Sequence, residues 1–323
     1  MKRESFGSRL GFILVSAGCA IGIGNVWKFP YICGAYGGAA FILIYLCFLV
    51  ILGIPVLVAE FAVGRGSHTS VAKCFDKLAP AGSCWKPLKF IGIIGCYMLM
   101  MFYTTVGGWM IYYCVKSLRG DFVGATPEAV TQSFSDMLGN APTMMLWMVI
   151  ICLIGFAVCF MGLQNGIEKI SKVMMSALLI IMVILAVHSV MMEGAGEGIS
   201  FYLIPDFQKI KEAGVGNVVF AALSQSFFTL SIGIGAMLIF GSYLDKSRSL
   251  TGEAVSITVL DTFVALTAGF IIIPACFSYG IQPDAGPSLI FITLPNIFAK
   301  MSGGALWGRQ CEQKESPFTF RRK

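Results

Sequence analysis

The chain has 323 residues, of which 57% are hydrophobic and 12% are charged, with a mean hydropathy of +0.81 and a formal net charge of +6. Soluble domains usually carry about 25% charged residues, so the composition excludes an ordinary soluble domain and predicts an all-α polytopic membrane protein. The positive charge does not indicate nucleic-acid binding, because the Lys and Arg residues lie mostly between alternate apolar segments.

Seven apolar segments long enough to cross a bilayer follow one another along the chain. Their predicted extents are 10–32, 38–63, 88–118, 143–162, 168–192, 216–243 and 254–281. With the N-terminal segment 1–9 in the cytoplasm, the cytoplasmic loops hold twelve basic residues and the outer loops five. The excess of basic residues on the inner side predicts a cytoplasmic N-terminus.

The end of the chain differs in character from the rest. Residues 282–308 are apolar but contain several prolines and glycines, which predicts an outer helical hairpin and the first residues of an eighth span. Residues 309–323, RQCEQKESPFTFRRK, are polar and carry five basic residues on what should be the outer side. This conflict with the charge rule leads us to expect a truncation, by frameshift, near residue 308.

The first span contains a stretch that is unfavourable for a helix. CAIGIGNVWKFP, residues 19–30, holds two glycines, an asparagine, a lysine and a proline within twelve residues. Non-helical backbone inside a bilayer is tolerated only where it lines a cavity or binds a ligand. Gly22 and Gly24 permit unusual backbone angles, and Asn25 offers a side-chain oxygen. Carbonyl and amide oxygens suit a small hard cation.

The sixth span has a second stretch of the same kind. QSFFTLSIGIGAM, residues 225–237, again contains G-x-G, here preceded by Thr229 and Ser231. A single G-x-G in an apolar helix is explained better by close helix packing through small residues. Two interrupted spans, five spans apart, instead favour two structural repeats with a substrate and ion site at their interface.

Four segments resemble the neurotransmitter:sodium symporter family. The family's first two helices are matched by the segment SRLGFILVSAGCAIGIGNVWKFPYICGAYGGAAFILIYLCFLVILGIPVLVAEFAVGR. Its third helix is matched by MFYTTVGGWMIYY, its sixth by FFTLSIGIGAMLIFGSYL and its fourth outer loop by TLPNIFAKMSGGALWG. The match runs in register from about residue 5 to residue 308.

This resemblance implies a LeuT-type inverted-repeat bundle in which helices 1 and 6 are discontinuous, ending here at the start of helix 8. It implies a first five-helix repeat over 10–192, and an outer loop followed by helices 6 and 7 of the second repeat over 193–281.

The resemblance also implies sodium sites. Matching the family motif residue by residue gives the sodium ligands Gly18, Ala20, Ile21, Asn25, Thr229 and Asp261. Gly18 and Ile21 belong to the second sodium site, whose other ligands come from an eighth helix that this sequence does not contain beyond Trp307. Half of that site is therefore absent.

Asp261 departs from the family pattern, which more often has Asn at this position. Because family members that lack a carboxylate here use chloride to balance charge, Asp261 predicts chloride-independent transport. Tyr45, Gln225 and Ser226 lie near the position that chloride occupies in relatives. An ionisable residue inside a span is in any case a functional candidate, although pairing for helix assembly alone is the alternative.

The implied substrate is a hydrophobic or aromatic amino acid. Gly22 leaves room for a substrate that brings its own carboxylate, Tyr103 matches a tyrosine that contacts that carboxylate, and Phe228 matches an aromatic lid. The implied substrate-binding residues are Ala20, Gly22, Gly24, Leu99, Tyr103, Phe228, Thr229, Ser231 and Ile234.

Some of the residues that form the outer and cytoplasmic gates in the family have counterparts in this sequence. Lys28 stands at the position of an outer-gate Arg, and a Lys cannot form the bidentate pair that Arg forms. Arg3 and Phe6 match an N-terminal latch on the cytoplasmic side. The acidic partners of both gates lie on later helices. Glu60, at the foot of the second helix, is expected to be structural.

We therefore expect a sodium-coupled amino-acid symporter, working by alternating access in a bacterial inner membrane. Its expected partners are sodium, the amino acid and the bilayer, without nucleic acid; homo-oligomer formation stays open. No enzyme is expected, since the sequence has no nucleophile elbow or phosphate loop, and His68 and His188 lack ligand spacing. The alternative is a non-transporting remnant of such a symporter or a fragment that associates with other membrane proteins.

Overall fold

The computed structural model describes residues 6–122 and 127–279. Every regular element in these ranges is a helix. The helices are α1 (Arg9–Ala20), α2 (Gly24–Ala35), α3 (Ala39–Ser67), α4 (Val71–Leu78), α5 (Leu88–Arg119), α6 (Pro127–Gly139), α7 (Ala141–Phe160), α8 (Leu163–Val190), α9 (Ala195–Leu203), α10 (Phe207–Ala213), α11 (Val215–Thr229), α12 (Ala236–Gly241) and α13 (Leu250–Tyr279). The all-helical prediction is confirmed.

Five helices in the described ranges, α3, α5, α7, α8 and α13, are each long and apolar enough to cross a membrane. A sixth span is formed by α1 and α2 together, which are bent by 55° at a short break. The predicted sixth span, 216–243, is not one continuous helix, because α11 ends at Thr229 and the six-residue α12 begins only at Ala236. The G-x-G stretch that predicted an interruption there divides the span into two helices, and neither is long enough to cross a membrane alone.

Local chemistry explains where several helices begin and bend. Ser8 caps α1, since its hydroxyl accepts the Gly11 N–H at 3.0 Å. The middle of α3 widens into a π-helical turn over Leu49–Gly53, immediately before Pro55. Proline cannot donate the helical hydrogen bond and its ring crowds the preceding turn, and a π-bulge accommodates that defect within a continuous helix.

The helices differ strongly in burial, and α13 lies at the centre. It contacts α1, α2, α3, α8 and α9, and its residues from Ile271 to Cys276 are all buried. In contrast, no residue of α7 is buried, and its main neighbour is α5. An apolar helix without buried residues fits a position at the lipid boundary.

Small residues let the interrupted sixth span approach α3. A Cβ on Gly64 of α3 would collide with the Leu238 carbonyl of α12, and a Cβ on Gly241 would lie 2.6 Å from the Phe61 Cα. Membrane helices pack closely through such residues because no solvent drives them together. The contact positions the second break beside α3, which supplies one of its supports.

The outer hairpin 282–308, the tail 309–323 and the residues before Phe6 lie outside the described residues. The predictions made for them, including the latch residue Arg3, therefore stay predictions.

Candidate functional site

The first break separates α1 from α2 at residues 21–23. The carbonyls in the last turn of a helix have no N–H donor within that helix. Here the Cys19 carbonyl accepts a hydrogen bond from the Ser231 hydroxyl at 3.1 Å. The chain resumes as a π-helical turn, Gly24–Lys28, followed by Phe29–Ala35 with Pro30 in its first turn. The break therefore exposes backbone polar groups in the middle of an apolar bundle.

The second break, residues 230–235, adopts backbone angles that only special residues accept readily. Ser231 has φ of 52°, Gly233 of 94° and Gly235 of 78°. Left-handed angles are unstrained for glycine and costly for other residues. The strain at Ser231 is offset in part by its hydrogen bond to the first break, which links the two interruptions directly.

Glu60 of α3 supports the second break. Its carboxylate accepts the Gly233 N–H at 2.6 Å and the Leu238 N–H at 3.2 Å. These donors have no partner within a continuous helix because the helix is broken there. The sequence indicated a structural role for Glu60 through its place in an apolar helix, but it did not indicate which backbone groups the carboxylate would hold.

A fully buried polar group, which we call the Asp261 cluster, lies between the two breaks and α13. It consists of Asn25, Thr229 and Asp261, all with no exposed surface. The Asn25 amide donates to Asp261 Oδ1 at 2.8 Å and to Thr229 Oγ1 at 3.1 Å, and Thr229 donates to Asp261 Oδ2 at 2.8 Å. Both carboxylate oxygens are thus hydrogen-bonded, as a buried charge requires.

The three residues that the resemblance associates with the chloride position are all buried polar side chains. Tyr45 lies near Asp261. Gln225 donates to the Gly24 carbonyl at 3.2 Å, and Ser226 donates to the Leu223 carbonyl at 2.7 Å within α11.

Four of the predicted substrate residues form two pairs in contact beside the first break. A Cβ on Gly22 would lie 3.5 Å from Tyr103 Cε1 and 3.6 Å from its hydroxyl oxygen. A Cβ on Gly24 would lie 2.7 Å from the Phe228 ring, so glycine is required for this close approach. Lys28 places its ammonium nitrogen 3.9 Å from the centre of the same ring.

The remaining predicted residues occupy different places. Ala20 and Ile21 are buried at the end of α1. Gly18 packs against Met175 of α8, and a Cβ added to Gly18 would lie 3.2 Å from the Met175 sulfur. Leu99 is half-buried on α5, as Ile234 is within the second break. The second sodium site cannot be assembled from the described residues, because its implied eighth-helix ligands are not among them.

Phe6 lies far from these groups, at the cytoplasmic end predicted for the bundle. Its ring packs edge-on against Phe12 at 5.5 Å and Tyr243 at 5.8 Å. Next to it, Arg9 forms an ion pair with Glu253 of α13 at 2.9 Å. These contacts tie the N-terminal segment to the start of α13.

Glu168 is an anchor that the sequence analysis missed. Its buried carboxylate accepts the Gly7 N–H at 2.8 Å, the Ser8 hydroxyl at 3.2 Å and the Lys172 ammonium at 2.6 Å. A single acidic residue beside a loop has no distinctive local pattern, so only its partners in space reveal the role.

Two interrupted helices that meet a buried carboxylate inside an apolar bundle define a membrane transporter of the broken-helix class. The model of the sodium:neurotransmitter symporter family matches residues 3–132 and 128–310. The chain belongs to the sodium:neurotransmitter symporter family, whose members are sodium-dependent transporters and not enzymes.

Several relatives and one solved structure are similar over most of the chain. The uncharacterized sodium-dependent transporter YhdH of Bacillus subtilis is 37% identical over 306 residues, which cover 95% of this chain and 67% of that protein. A sodium-dependent transporter of Haemophilus influenzae is 33% identical, covering 94% and 67%. The crystal structure of MhsT in complex with L-phenylalanine has a TM-score of 0.88 and 38% identity, covering 95% of this chain and 69% of MhsT. The chain thus spans about two thirds of the length of these proteins, and it has the LeuT fold of MhsT.

Proposed function

We propose that this chain forms the ion and substrate site of a symporter that couples sodium entry to the uptake of a hydrophobic or aromatic amino acid. The observation that carries the proposal is the Asp261 cluster, in which three fully buried side chains from α2, α11 and α13 converge between the two helix breaks. The class of transporter follows from the family, and the identity of the substrate and the ion ligands is the proposed part.

The chemistry of the Asp261 cluster suits sodium as a transported ion. Asn25, Thr229 and Asp261 each carry a side-chain oxygen, and hard cations prefer oxygen ligands. The Asn25 oxygen now accepts the Gly22 N–H at 3.2 Å, and rotation of its amide group would turn that oxygen towards the cluster. The Asp261 charge would neutralise the ion, and carbonyls at the end of α1, such as that of Ala20, would complete the ligand set.

The space beside the first break supports an amino acid as the substrate. Gly22 leaves the surface next to the Tyr103 hydroxyl open, where a carboxylate could accept a hydrogen bond. Ser231 and the carbonyls of the second break would face the amine. MhsT, which is similar in fold and sequence, was crystallised with L-phenylalanine, and the apolar Leu99 and Ile234 fit a side chain of that kind.

Shared elements give a physical reason for coupling. Asn25, at the start of α2, follows directly on the break that contains Gly22, and Thr229 and Ser231 lie on either side of the start of the second break. An ion that orders the two breaks therefore also forms the substrate site. Binding of each would strengthen binding of the other by the same factor, as linkage requires.

We further propose that transport is independent of chloride. Asp261 would supply a negative charge beside Tyr45, one of the three residues, with Gln225 and Ser226, that the resemblance associates with chloride. A buried anion next to this carboxylate would be repelled at short range in a medium of low dielectric constant.

Alternating access in the inner membrane completes the proposal. Lys28 contacts Phe228 on the predicted outer side and would close the site there, and the contacts of Phe6, Arg9 and Glu168 would close the predicted cytoplasmic side. Breaking the outer contacts while the cytoplasmic ones stay formed, and then the reverse, would open the site first to one side of the membrane and then to the other. The charge distribution favours a cytoplasmic N-terminus.

The test is ligand-dependent thermal stability of the purified chain in detergent. L-Phenylalanine should raise the unfolding temperature in sodium chloride and in sodium gluconate, but not in potassium chloride. A ligand that binds only the folded state at 100 times its Kd adds about 2.7 kcal/mol. Equal stabilisation in potassium would contradict sodium coupling, and a requirement for chloride would contradict the role of Asp261.

A folded chain that responds to neither sodium nor any amino acid would favour the non-transporting alternative. Uptake into proteoliposomes driven by a sodium gradient would exclude that alternative directly.

A further inference from the structure

Helix α5 presents three small residues to the second break. A Cβ on Gly92 would lie 3.3 Å from the Ile234 carbonyl oxygen, and one on Gly95 would lie 3.3 Å from Ile234 Cγ2 and 3.9 Å from Ile234 Cβ. Cys96 approaches the same residue, with its sulfur 3.6 Å from the Ile234 carbonyl oxygen. This wall of α5, Gly92 to Cys96, is therefore what Ile234 rests against.

Ile234 itself stands on an adaptable piece of backbone. It lies between Gly233 and Gly235, both at positive φ. Glu60 fixes the amide of Gly233 from the α3 side. Backbone between two glycines can shift at little cost, so the position of the Ile234 side chain is set by how closely α5 lets it approach.

We propose that Gly95 is a specificity-determining residue: because it has no side chain, Ile234 lies back against α5 and leaves room for a large hydrophobic substrate side chain. This inference rests on the proposed function, in which Ile234 and Leu99 line the side-chain pocket. Leu99 lies one helical turn beyond Gly95 on the same face of α5, so the two residues border the same space.

The sterics give the direction of the effect. A contact of 3.3 Å to a new methyl group is tighter than ordinary van der Waals contact, so in a Gly95→Ala variant Ile234 must give way by a few tenths of an ångström. Ile234 and Leu99 line the proposed pocket, and we expect the displaced side chain to enter it. A whole methylene in a hydrophobic pocket changes discrimination about 10- to 200-fold, so this smaller loss of space should act several-fold, and against large substrates more than small ones.

The chain offers a closely matched control on the same helix. A Cβ on Gly107 would lie 3.3 Å from Ile151 Cγ1 and 3.9 Å from Ile151 Cγ2, the same pair of distances to an isoleucine of α7. Gly95 and Gly107 are both half-buried. Gly107→Ala therefore imposes the same local crowding on α7 instead of on Ile234.

The experiment measures the sodium-dependent affinities of the purified full chain for L-phenylalanine and L-alanine. The ratio of the two affinities should shift several-fold towards alanine in Gly95→Ala, less than the about tenfold minimum for a whole methylene, and stay unchanged in Gly107→Ala. It should return towards the wild-type ratio in Gly95→Ala with Ile234→Leu, because leucine lacks the Cγ2 methyl group that the new Cβ would crowd. An unchanged ratio in Gly95→Ala, or an equal shift in Gly107→Ala, overturns the proposal.

Thermal stability separates this proposal from the proposed function. If the wild type binds no amino acid, the proposed function fails, but the double-mutant cycle of Gly95→Ala and Ile234→Leu still tests whether the two residues compete for space. A destabilisation by Gly95→Ala that Ile234→Leu relieves supports that relation. Additive effects of the two substitutions, as expected for Gly107→Ala with Ile234→Leu, overturn it.

Discussion

Thr229 donates a hydrogen bond of 2.8 Å to Asp261 although the two residues lie on different helices and neither has any exposed surface. Thr229 is the last residue of α11 before the second break, so the carboxylate binds the interrupted helix where its own hydrogen bonds end. A buried carboxylate is unfavourable unless it is paired or binds a cation. The bond thus couples the conformation of the second break to the group or ion that neutralises the Asp261 carboxylate.

Removing the Asn25 amide should weaken sodium binding. Asn25→Ala deletes the donor to Asp261 and Thr229 together with the proposed ion-ligand oxygen. Loss of a group that ligates or orients a metal site typically costs about 10- to 100-fold in affinity, so sodium affinity should fall at least about tenfold. Titration of thermal stability with sodium measures the change.

Asn217→Ala serves as the control for that variant. Asn217 is an exposed asparagine of α11 whose amide donates to the Ala213 carbonyl. Its removal should leave the sodium titration unchanged. Equal sodium affinity in Asn25→Ala and the wild type would show that the Asp261 cluster is not the ion site.

Glu60→Gln should loosen the second break. Glutamine has one acceptor oxygen, so either the Gly233 or the Leu238 N–H would face an NH₂ group instead of an oxygen. A hydrogen bond to a charged group is worth about 1.5–3 kcal/mol. We expect a lower unfolding temperature and weaker phenylalanine binding, because Ser231 and Ile234 belong to the same segment.

Asp76→Asn provides the comparison for Glu60→Gln. Asp76 pairs with Lys89 at 2.7 Å, but its side chain is 44% exposed, and exposed ion pairs contribute about 0–1 kcal/mol. If Asp76→Asn lowered stability as much as Glu60→Gln, the assignment of Glu60 as the support of the break would be wrong.

Gly11→Ala should detach the N-terminal segment from α8. The new methyl group would collide with the Glu168 carboxylate and displace it from Gly7, Ser8 and Lys172. Overpacking of this kind costs about 1–3 kcal/mol. Limited proteolysis near the N-terminus should become faster, and the unfolding temperature should fall.

The contrasting substitution is Gly155→Ala in α7, where no atom lies within 4 Å of the added Cβ. Replacing glycine by alanine inside a helix usually stabilises it by about 0.5–1 kcal/mol. Equal proteolysis of Gly11→Ala and Gly155→Ala would show that Glu168 does not hold the segment.

Gly22→Ala should separate binding from folding. Its methyl group would lie at ordinary contact distance from Tyr103, 3.5 and 3.6 Å, so the unfolding temperature without ligand should change little. The methyl group would nevertheless occupy the space proposed for the substrate carboxylate. We expect phenylalanine affinity to fall about tenfold or more, measured by competition binding.

Gly216→Ala on α11, which has nothing within 4 Å of its added Cβ, should leave phenylalanine affinity intact. A Gly22→Ala variant that binds phenylalanine normally would place the carboxylate elsewhere.

The sequence by itself determined the features that depend on neighbours along the chain. Apolar length predicts spans because the bilayer demands it, and the predicted ranges agree with α3, α5, α7, α8 and α13. Both interruptions were predictable too, since the paired glycines Gly22/Gly24 and Gly233/Gly235 mark the places where the helices break. The resemblance to the family, and not the pattern, suggested that Asn25, Thr229 and Asp261 belong together.

Only the tertiary structure decided the contacts between distant residues. Asn25 and Asp261 are 236 positions apart, and nothing in either local pattern specifies the other. The same holds for Glu60 with the second break, for Glu168 with Gly7, and for Gly95 with Ile234. Local propensity acts over one or two helical turns, whereas these contacts depend on how whole helices pack, and packing is settled by the shapes of all the surfaces that meet.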